Sequence, residues 1–229
     1  MIALETAATS DGIAHLAATR VAALLSAAVE ARGTAHLAVS GGNTPQPMFV
    51  ALASLPVDWS AVHVWQVDER VAPPGSPERN LTSLQDALLA RIPLPDGNLH
   101  PMPVEDPDLE AAADDYAAEL HAACRGVLDV VHLGLGDDGH TASWPPGSPI
   151  IEERITDVAI VGPFHGVVRM TLTPPAVNRA RDVVFLVIGP EKADMTARLL
   201  AGVPALPACR VRQDHTELFA GGGAEPKTP

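Results

Sequence analysis

The chain has 229 residues, of which 47% are hydrophobic, and this is long enough to bury the core of one sizeable domain. Its formal net charge of −13 argues against nucleic acid or an anionic membrane as a partner, but not against an anionic metabolite held by a few clustered cations. Cys124 and Cys209 lie far apart and outside any C-x-x-C pattern, so neither a disulfide framework nor a thiolate metal site is expected.

The N-terminal segment is predicted to form a helix, and the protein is expected to be cytoplasmic. It lacks the basic region, apolar run and cleavage site of a secretory signal, and we find no run near the roughly 20 apolar residues of a membrane span. Apolar residues at helical spacing after Ser10 predict an amphipathic helix that ends at Gly33.

A glycine turn follows the first predicted strand. Residues 35–39 form a short buried strand that runs into Ser40, Gly41 and Gly42, after which Thr44 is a suitable N-cap for the next helix. The free N–H groups of the turn and of the helix start predict an anion cradle, although an ordinary tight turn explains the pattern equally well. The missing P-loop lysine argues against a nucleoside triphosphate, and the esterase elbow Gly-x-Ser-x-Gly has alanine at its first position.

Charged residues follow the second predicted strand. Residues 62–67 are apolar enough for a buried strand, and Asp68 and Arg70 come directly after it. Because an unpaired buried charge is costly, these side chains indicate a binding site, with a simple surface ion pair as the alternative. Asn80 is a suitable cap for a following helix, and residues 108–124 predict a further helix with a structural role.

The central predicted strand carries the chemically most distinctive turn. Residues 128–133 run into a loop that presents Asp138 and His140. The G-x-G-x-x-G spacing from Gly134 to Gly139 does not indicate a dinucleotide site, because three prolines soon after it prevent a helix and two aspartates would face the phosphates. The loop instead offers an imidazole for proton transfer and a carboxylate that orients it, unless it is merely a capped surface loop.

The last third of the chain adds two cations. Residues 155–161 and 166–173 are predicted extended segments, the second of which contains Arg169. Residues 182–188 form the clearest late strand, and Lys192 follows it at a predicted helix start. A lysine there opposes the helix dipole, which is easier to understand if its side chain meets an anion.

The order of strands and helices predicts an α/β fold with a doubly wound, mostly parallel sheet and helices on both faces. We expect a single domain over residues 1–220 and a flexible tail over 221–229. The carboxyl ends of parallel strands share one rim of a sheet, so the strand-end segments are predicted to surround one ligand. These segments are residues 40–42, 68–70, 138–140 and 189–192, with Arg169 nearby.

Taken in order, these segments resemble the 6-phosphogluconolactonase family, within a wider group that includes the glucosamine-6-phosphate isomerases. The matching blocks are residues 40–45, 59–70, 134–143 and 169–192. The isomerases share the Asp-Gly-His loop, residues 138–140 here, but follow it with Asn-Glu-Pro, whereas this chain continues with Ala142 and Ser143. The resemblance therefore implies a modified Rossmann-like fold and hydrolysis of 6-phospho-D-glucono-1,5-lactone, a step of the oxidative pentose phosphate pathway.

Lactone hydrolysis needs a base for the attacking water and positive groups near the developing oxyanion. We expect His140 to be the base and Asp138 to orient it, with no cofactor and no metal. The expected substrate- and phosphate-binding residues are Ser40, Gly41, Gly42, Asp68, Arg70, Arg169 and Lys192. Which cation contacts the phosphate and which lies near the carbonyl stays open at this point.

Two other functions remain open from the sequence. One is an aminosugar-phosphate isomerase or deaminase with Asp68 as its base, which the missing glutamate after His140 disfavours. The other is a sugar-phosphate-binding regulator without catalysis, in which His140 would be replaceable. The chain shows no long exposed apolar face, so a monomer is expected.

Overall fold

Strands and helices alternate along the computed structural model, which describes residues 1–226. The strands are β1 (Ala3–Ala7), β2 (Ala35–Val39), β3 (Val62–Gln66), β4 (Asp68–Arg70), β5 (Leu99–His100), β6 (Val130–Leu133), β7 (Val158–Phe164), β8 (Val167–Leu172), β9 (Asp182–Ile188) and β10 (Thr216–Gly221). The α-helices are α1 (Ser10–Arg32), α2 (Gln46–Ala53), α3 (Asn80–Ala87), α4 (Leu109–Cys124), α5 (Pro174–Asn178) and α6 (Ala193–Leu200).

Seven of these strands form one sheet in the order β1-β10-β9-β6-β2-β3-β5, and every neighbouring pair is parallel. Because its strands are covered on both faces, the central ones read as continuous apolar runs. The carboxyl ends of β9, β6 and β2 lie side by side at one rim, where a ligand site is expected in this architecture.

Two apolar layers cover the faces of the sheet. One contains residues of α1, α2 and α3, among them the buried Phe49. The other contains residues of α4, α5 and α6 together with Trp65, Tyr116 and Trp144. Helices on both faces of a parallel sheet confirm the predicted α/β fold class.

A second sheet, with the antiparallel order β4-β8-β7, packs against the second of these layers. Its register sets Asp68 opposite Thr171 and Arg70 opposite Arg169. The sequence analysis read residues 68–70 as a turn at the rim of the main sheet. That interpretation is wrong, because the chain crosses there into a different sheet.

Helix α1 has the length and mean hydropathy of a membrane-spanning segment, contrary to the expectation that no run reaches them. In this fold it is a core helix, with Ile13, Val21 and Leu25 fully buried. Thr9 accepts a hydrogen bond from the N–H of Gly12 and caps its start, and Gly33 ends it with a φ of +81°.

Several predicted boundaries differ from the structure. Pro45, not Thr44, is the N-cap of α2, and Arg79, not Asn80, is the N-cap of α3. Strand β7 begins at Val158 rather than at residue 155, where the isoleucine side chain is exposed. The division into residues 1–220 and a flexible tail at 221–229 stays a prediction, but Gly221 ends β10 and Ala224 is buried in the core. Residues 227–229 of that tail lie outside the described residues.

Candidate active site

A cavity of about 210 Å³ opens at the rim formed by the carboxyl ends of β2, β6 and β9. The second sheet supplies its side wall through β4 and β8. The polar side chains that line it are Ser40, Thr44, Asp68, Arg70, Asn80, His132, His140, Thr141, Arg169 and Lys192. Cations, a carboxylate and an imidazole therefore face one space, which suits a small polar anion.

The loop after β6 fixes the orientation of His140. The Nδ1 atom of His140 lies 2.6 Å from Oδ1 of Asp138. The same oxygen accepts a hydrogen bond from the backbone N–H of His140 at 3.0 Å. The backbone N–H of Gly136 donates to the carbonyl of His140 at 2.8 Å and closes the loop. With Nδ1 engaged by the carboxylate, Nε2 is the nitrogen left for proton transfer.

Asp138 remains a strong acceptor in this loop. Burial tends to raise its pKa, but the hydrogen bonds from His140 outweigh it, so the pKa of Asp138 lies below its ordinary value. A carboxylate held ionised beside an imidazole favours the imidazolium that forms when the imidazole takes a proton. Phe164 packs edge-on against the His140 ring, with 5.0 Å between centroids, and limits its movement.

The side wall pairs two arginines with one buried carboxylate. Arg70 and Arg169 are neighbours in register on β4 and β8, and Nη1 of Arg169 lies 3.8 Å from Oδ2 of Asp68. Burial raises the pKa of Asp68, while a 2.6 Å hydrogen bond from Ser143 and the two arginines act in the opposite direction. Burial also lowers the pKa of Arg169, whose guanidinium stands 5.0 Å from the Phe164 ring centroid.

The turn after β2 forms the opposite wall. The N–H of Ser40 donates to the carbonyl of His132 at 3.1 Å, and this bond extends the pairing of β2 with β6 to the start of the turn. A Cβ on Gly41 would overlap the side-chain amide of Asn80, so only glycine fits there. Gly42 has a φ of +96°, a conformation that favours glycine.

Most of the predicted site residues meet at this cavity: Ser40, Gly41, Asp68, Arg70, His140, Arg169 and Lys192 line it. Asp138 stands behind His140, and Gly42 lies outside the lining set. Lys192 is the last residue of a short 3₁₀ segment after β9 and forms an ion pair with the exposed carboxylate of Asp137.

Sequence reasoning missed four of the polar lining residues, Thr44, Asn80, His132 and Thr141. Asn80 was interpreted only as a helix cap, but its side chain donates to the carbonyl of Asp68 at 2.9 Å. His132 was read as part of an apolar strand, but it is 1% exposed and borders the cavity. A histidine inside an otherwise apolar strand was the available signal. Among residues 1–226, no group of three or more His, Cys, Asp or Glu side chains could hold a metal ion.

Comparison with known proteins assigns the family. The model of the glucosamine-6-phosphate isomerases/6-phosphogluconolactonase family matches residues 8–220. The chain belongs to this family. It is 40% identical over 181 residues to the 6-phosphogluconolactonase of Synechocystis, covering 76% of this chain and 75% of that protein. The 6-phosphogluconolactonase of Mycobacterium tuberculosis is 36% identical over 206 residues, which are 84% of this chain and 83% of that protein.

Solved structures agree with the fold. The 6-phosphogluconolactonase of Thermotoga maritima superposes with a TM-score of 0.88 at 28% identity, over 96% of this chain and 100% of that one. A monomeric glucosamine-6-phosphate deaminase superposes with a TM-score of 0.86 at 17% identity, over 97% and 98% of the two chains, and this likeness concerns the fold alone. The predicted family resemblance is confirmed.

Proposed function

We propose that the protein hydrolyses 6-phospho-D-glucono-1,5-lactone to 6-phospho-D-gluconate. The observation that carries this proposal is the orientation of His140. Asp138 engages its Nδ1 atom, and its ring borders a cavity whose other walls carry Arg70, Arg169 and Lys192. The relatives named 6-phosphogluconolactonase support the same reaction.

In the proposed reaction, a water molecule attacks the lactone carbonyl while Nε2 of His140 takes its proton. The carbonyl π electrons move to oxygen and form a tetrahedral oxyanion. When the carbonyl is restored, the ring C–O bond breaks and the leaving alkoxide receives the proton from the imidazolium. Asp138 keeps the ring oriented and stabilises its positive form, and cations of the cavity stabilise the oxyanion.

The remaining cavity residues are proposed to hold the phosphate end of the sugar. Arginine binds phosphate through two parallel N–H groups and so fixes direction as well as charge. Arg70 and Arg169 stand side by side on neighbouring strands, whereas Lys192 comes from the far side of the rim. We assign the phosphate to the two arginines and the turn at Ser40 and Gly41, with Asp68 orienting Arg169.

Asp68 keeps an isomerase as the second candidate. Its raised pKa suits a base that removes a proton from carbon. Both of its oxygens are already engaged, however, by Asn80 on one and by Ser143 on the other. Incubation with glucosamine 6-phosphate and analysis for fructose 6-phosphate and ammonia distinguishes this activity from lactone hydrolysis.

The test generates the lactone in situ with glucose-6-phosphate dehydrogenase and follows its loss by hydroxamate trapping, against buffer alone. We expect wild type to accelerate the decay and His140→Ala to lose about 10²- to 10⁴-fold of that acceleration. His165→Asn is a matched control, because His165 is an exposed neighbour of His140 on the adjacent hairpin. Decay no faster than in buffer would refute the proposal.

We also propose that the protein acts as a cytoplasmic monomer without nucleic-acid or membrane partners. The net charge of −13 supports the absence of anionic partners. The exposed large apolar side chains include Leu4, Val50 and Ile155, which belong to separate segments rather than to one continuous stretch. Light scattering coupled to gel filtration would contradict this proposal if it gave twice the mass of 23.9 kDa.

A further inference from the structure

Glu69 lies between Asp68 and Arg70 but points away from the cavity, and it is 0% exposed. Its Oε1 atom accepts the backbone N–H groups of Arg70 and Asn80, both at 2.7 Å. Its Oε2 atom accepts the side-chain amide of Gln66 and the backbone N–H of Leu81, both at 2.8 Å. Every group around this carboxylate is a donor.

Arg79 adds a positive charge to these four donors. Its Nε atom lies 3.1 Å from Oε2 of Glu69, and its Nη1 atom lies 2.6 Å from Oε1 of Glu105. The Arg79 side chain is 2% exposed and that of Glu69 is 0% exposed, whereas the Glu105 side chain is 46% exposed. The two carboxylates therefore share one arginine, but only Glu69 also binds residues that line the cavity.

This arrangement joins two elements that are distant in the chain. Arg79 is the N-cap of α3, but its side chain makes no capping hydrogen bond. The first two N–H groups of the helix, those of Asn80 and Leu81, donate to Glu69 instead. The start of a helix needs such an acceptor for its free N–H groups. The same carboxylate holds the N–H of Arg70, the last residue of β4, so it closes the loop formed by residues 71–79.

Two of the residues that Glu69 contacts, Arg70 and Asn80, line the cavity. Asn80 donates to the carbonyl of Asp68 at 2.9 Å and to its Oδ1 atom at 3.2 Å, and its side chain packs so closely on Gly41 that no Cβ fits between them. Nη1 of Arg70 donates to the carbonyl of Glu78, within the loop that Glu69 closes. A shift of α3 relative to β4 would therefore move the arginine and the glycine turn together.

We propose that Glu69 is a positioning residue for anion binding: its carboxylate sets Arg70, and through Asn80 the turn at Gly41, at the separation that the phosphate requires. It holds no atom of the loop that carries His140, so its role is in binding and not in proton transfer. This inference rests on the proposed lactonase activity for its kinetic test, but anion binding tests it independently.

The decisive variant is Glu69→Gln. It keeps the shape of the side chain but replaces one carboxylate oxygen by an NH₂ group. That group is a donor and would face the N–H donors that the oxygen accepts in wild type. We expect the KM for the lactone and the Kd for inorganic phosphate, measured by calorimetry, to rise about tenfold or more, while kcat changes by less than about threefold. Glu105→Gln is the matched control, because it removes the exposed partner of the same arginine, and both values should stay at wild type.

A second variant keeps the test decisive if Glu69→Gln does not fold. Asn80→Ala leaves the backbone N–H that donates to Glu69 but removes the side chain that contacts Asp68 and Gly41, and we expect the same rise in phosphate Kd. Unchanged phosphate affinity in a folded Glu69→Gln or Asn80→Ala protein would overturn the inference. A wild type that binds phosphate but does not hydrolyse the lactone would refute the proposed function and leave the binding test intact.

Discussion

Replacing His132 with leucine should make the protein more stable and less sensitive to acid. The imidazole lies at the end of β6 beneath the turn at Ser40, with Phe49 packed edge-on at 5.7 Å between centroids. Neither ring nitrogen has a hydrogen-bond partner within residues 1–226. A buried polar group without a partner costs about 1 to 3 kcal/mol, whereas a hydrophobic side chain of similar volume fits with a smaller penalty. We therefore expect His132→Leu to raise the free energy of unfolding by about 1 kcal/mol near pH 7.5.

The pH dependence of the free energy of unfolding gives the more precise prediction. Burial lowers the pKa of His132 from 6.5 to about 3. Below pH 6.5 the unfolded chain therefore takes up a proton that the folded protein does not, and stability falls as the pH drops toward 3. At pH 5, which is 1.5 units below the unfolded pKa of 6.5, this proton uptake lowers the free energy of unfolding of wild type by about 2 kcal/mol. The free energy of unfolding of the variant does not change for this reason.

Urea unfolding of both proteins at pH 7.5 and at pH 5 measures this difference. His36 and His63, whose pKa values burial also lowers, are present in both proteins, so their contributions cancel in the comparison. His15→Gln removes an exposed histidine and should keep the pH dependence of wild type. If the stability difference between wild type and His132→Leu is the same at both pH values, His132 is not held neutral in the fold and the reasoning fails.

Three further variants test the site, each through kcat and KM for the lactone. Gly136→Ala should lose most activity, because its Cβ would overlap the ring of His140. Gly134→Ala is the control and should keep its activity, because nothing lies within 4 Å of a Cβ at that position. Equal activities of the two variants would contradict this loop geometry. Asp138→Asn should lower kcat by about 10²-fold with little change in KM, because the imidazolium loses its carboxylate partner; an unchanged kcat would show that His140 needs no such partner. Lys192→Met should raise KM about tenfold if the lysine binds the ground state, whereas an equal fall in kcat and kcat/KM would assign it to the oxyanion.

The sequence was sufficient for the four central strands of the main sheet, β9, β6, β2 and β3, because buried parallel strands carry a strong local signal. Strand β9 was predicted with its observed bounds, and the glycine turns after β2 and β6 were found where the structure has them. Strands β1, β5 and β10 were missed. Strand β1 is exposed along most of its length at the edge of the sheet, so it shows no apolar run, and its parallel pairing joins Ala3 to Glu217 across the whole chain.

The second sheet could not be predicted for a related reason. Strand β4 has three residues, too few to show a period, and its partner β8 lies about a hundred residues further along the chain. Glu69 and Asn80 were passed over because their importance depends on the return of α3 to β4, which no local pattern records. Ser40, His140 and Lys192, by contrast, come soon after single strands of the main sheet, so their place could be predicted from the sequence.

The second sheet also supports the proposal that the cavity binds an anion, although the chain has a net charge of −13. Like charges directly opposite each other on neighbouring strands are destabilising, yet Arg70 faces Arg169 in register. Burial is the main cause of the lowered pKa of Arg169, and the repulsion from Arg70 adds to it, while the carboxylate of Asp68, 3.8 Å away and already bound by Ser143, acts in the opposite direction. A phosphate between the two guanidinium groups would add negative charge that offsets both the burial of Arg169 and its repulsion from Arg70. The arrangement is therefore one whose electrostatic cost falls when the proposed substrate binds, which is what a binding site, and not a structural ion pair, requires.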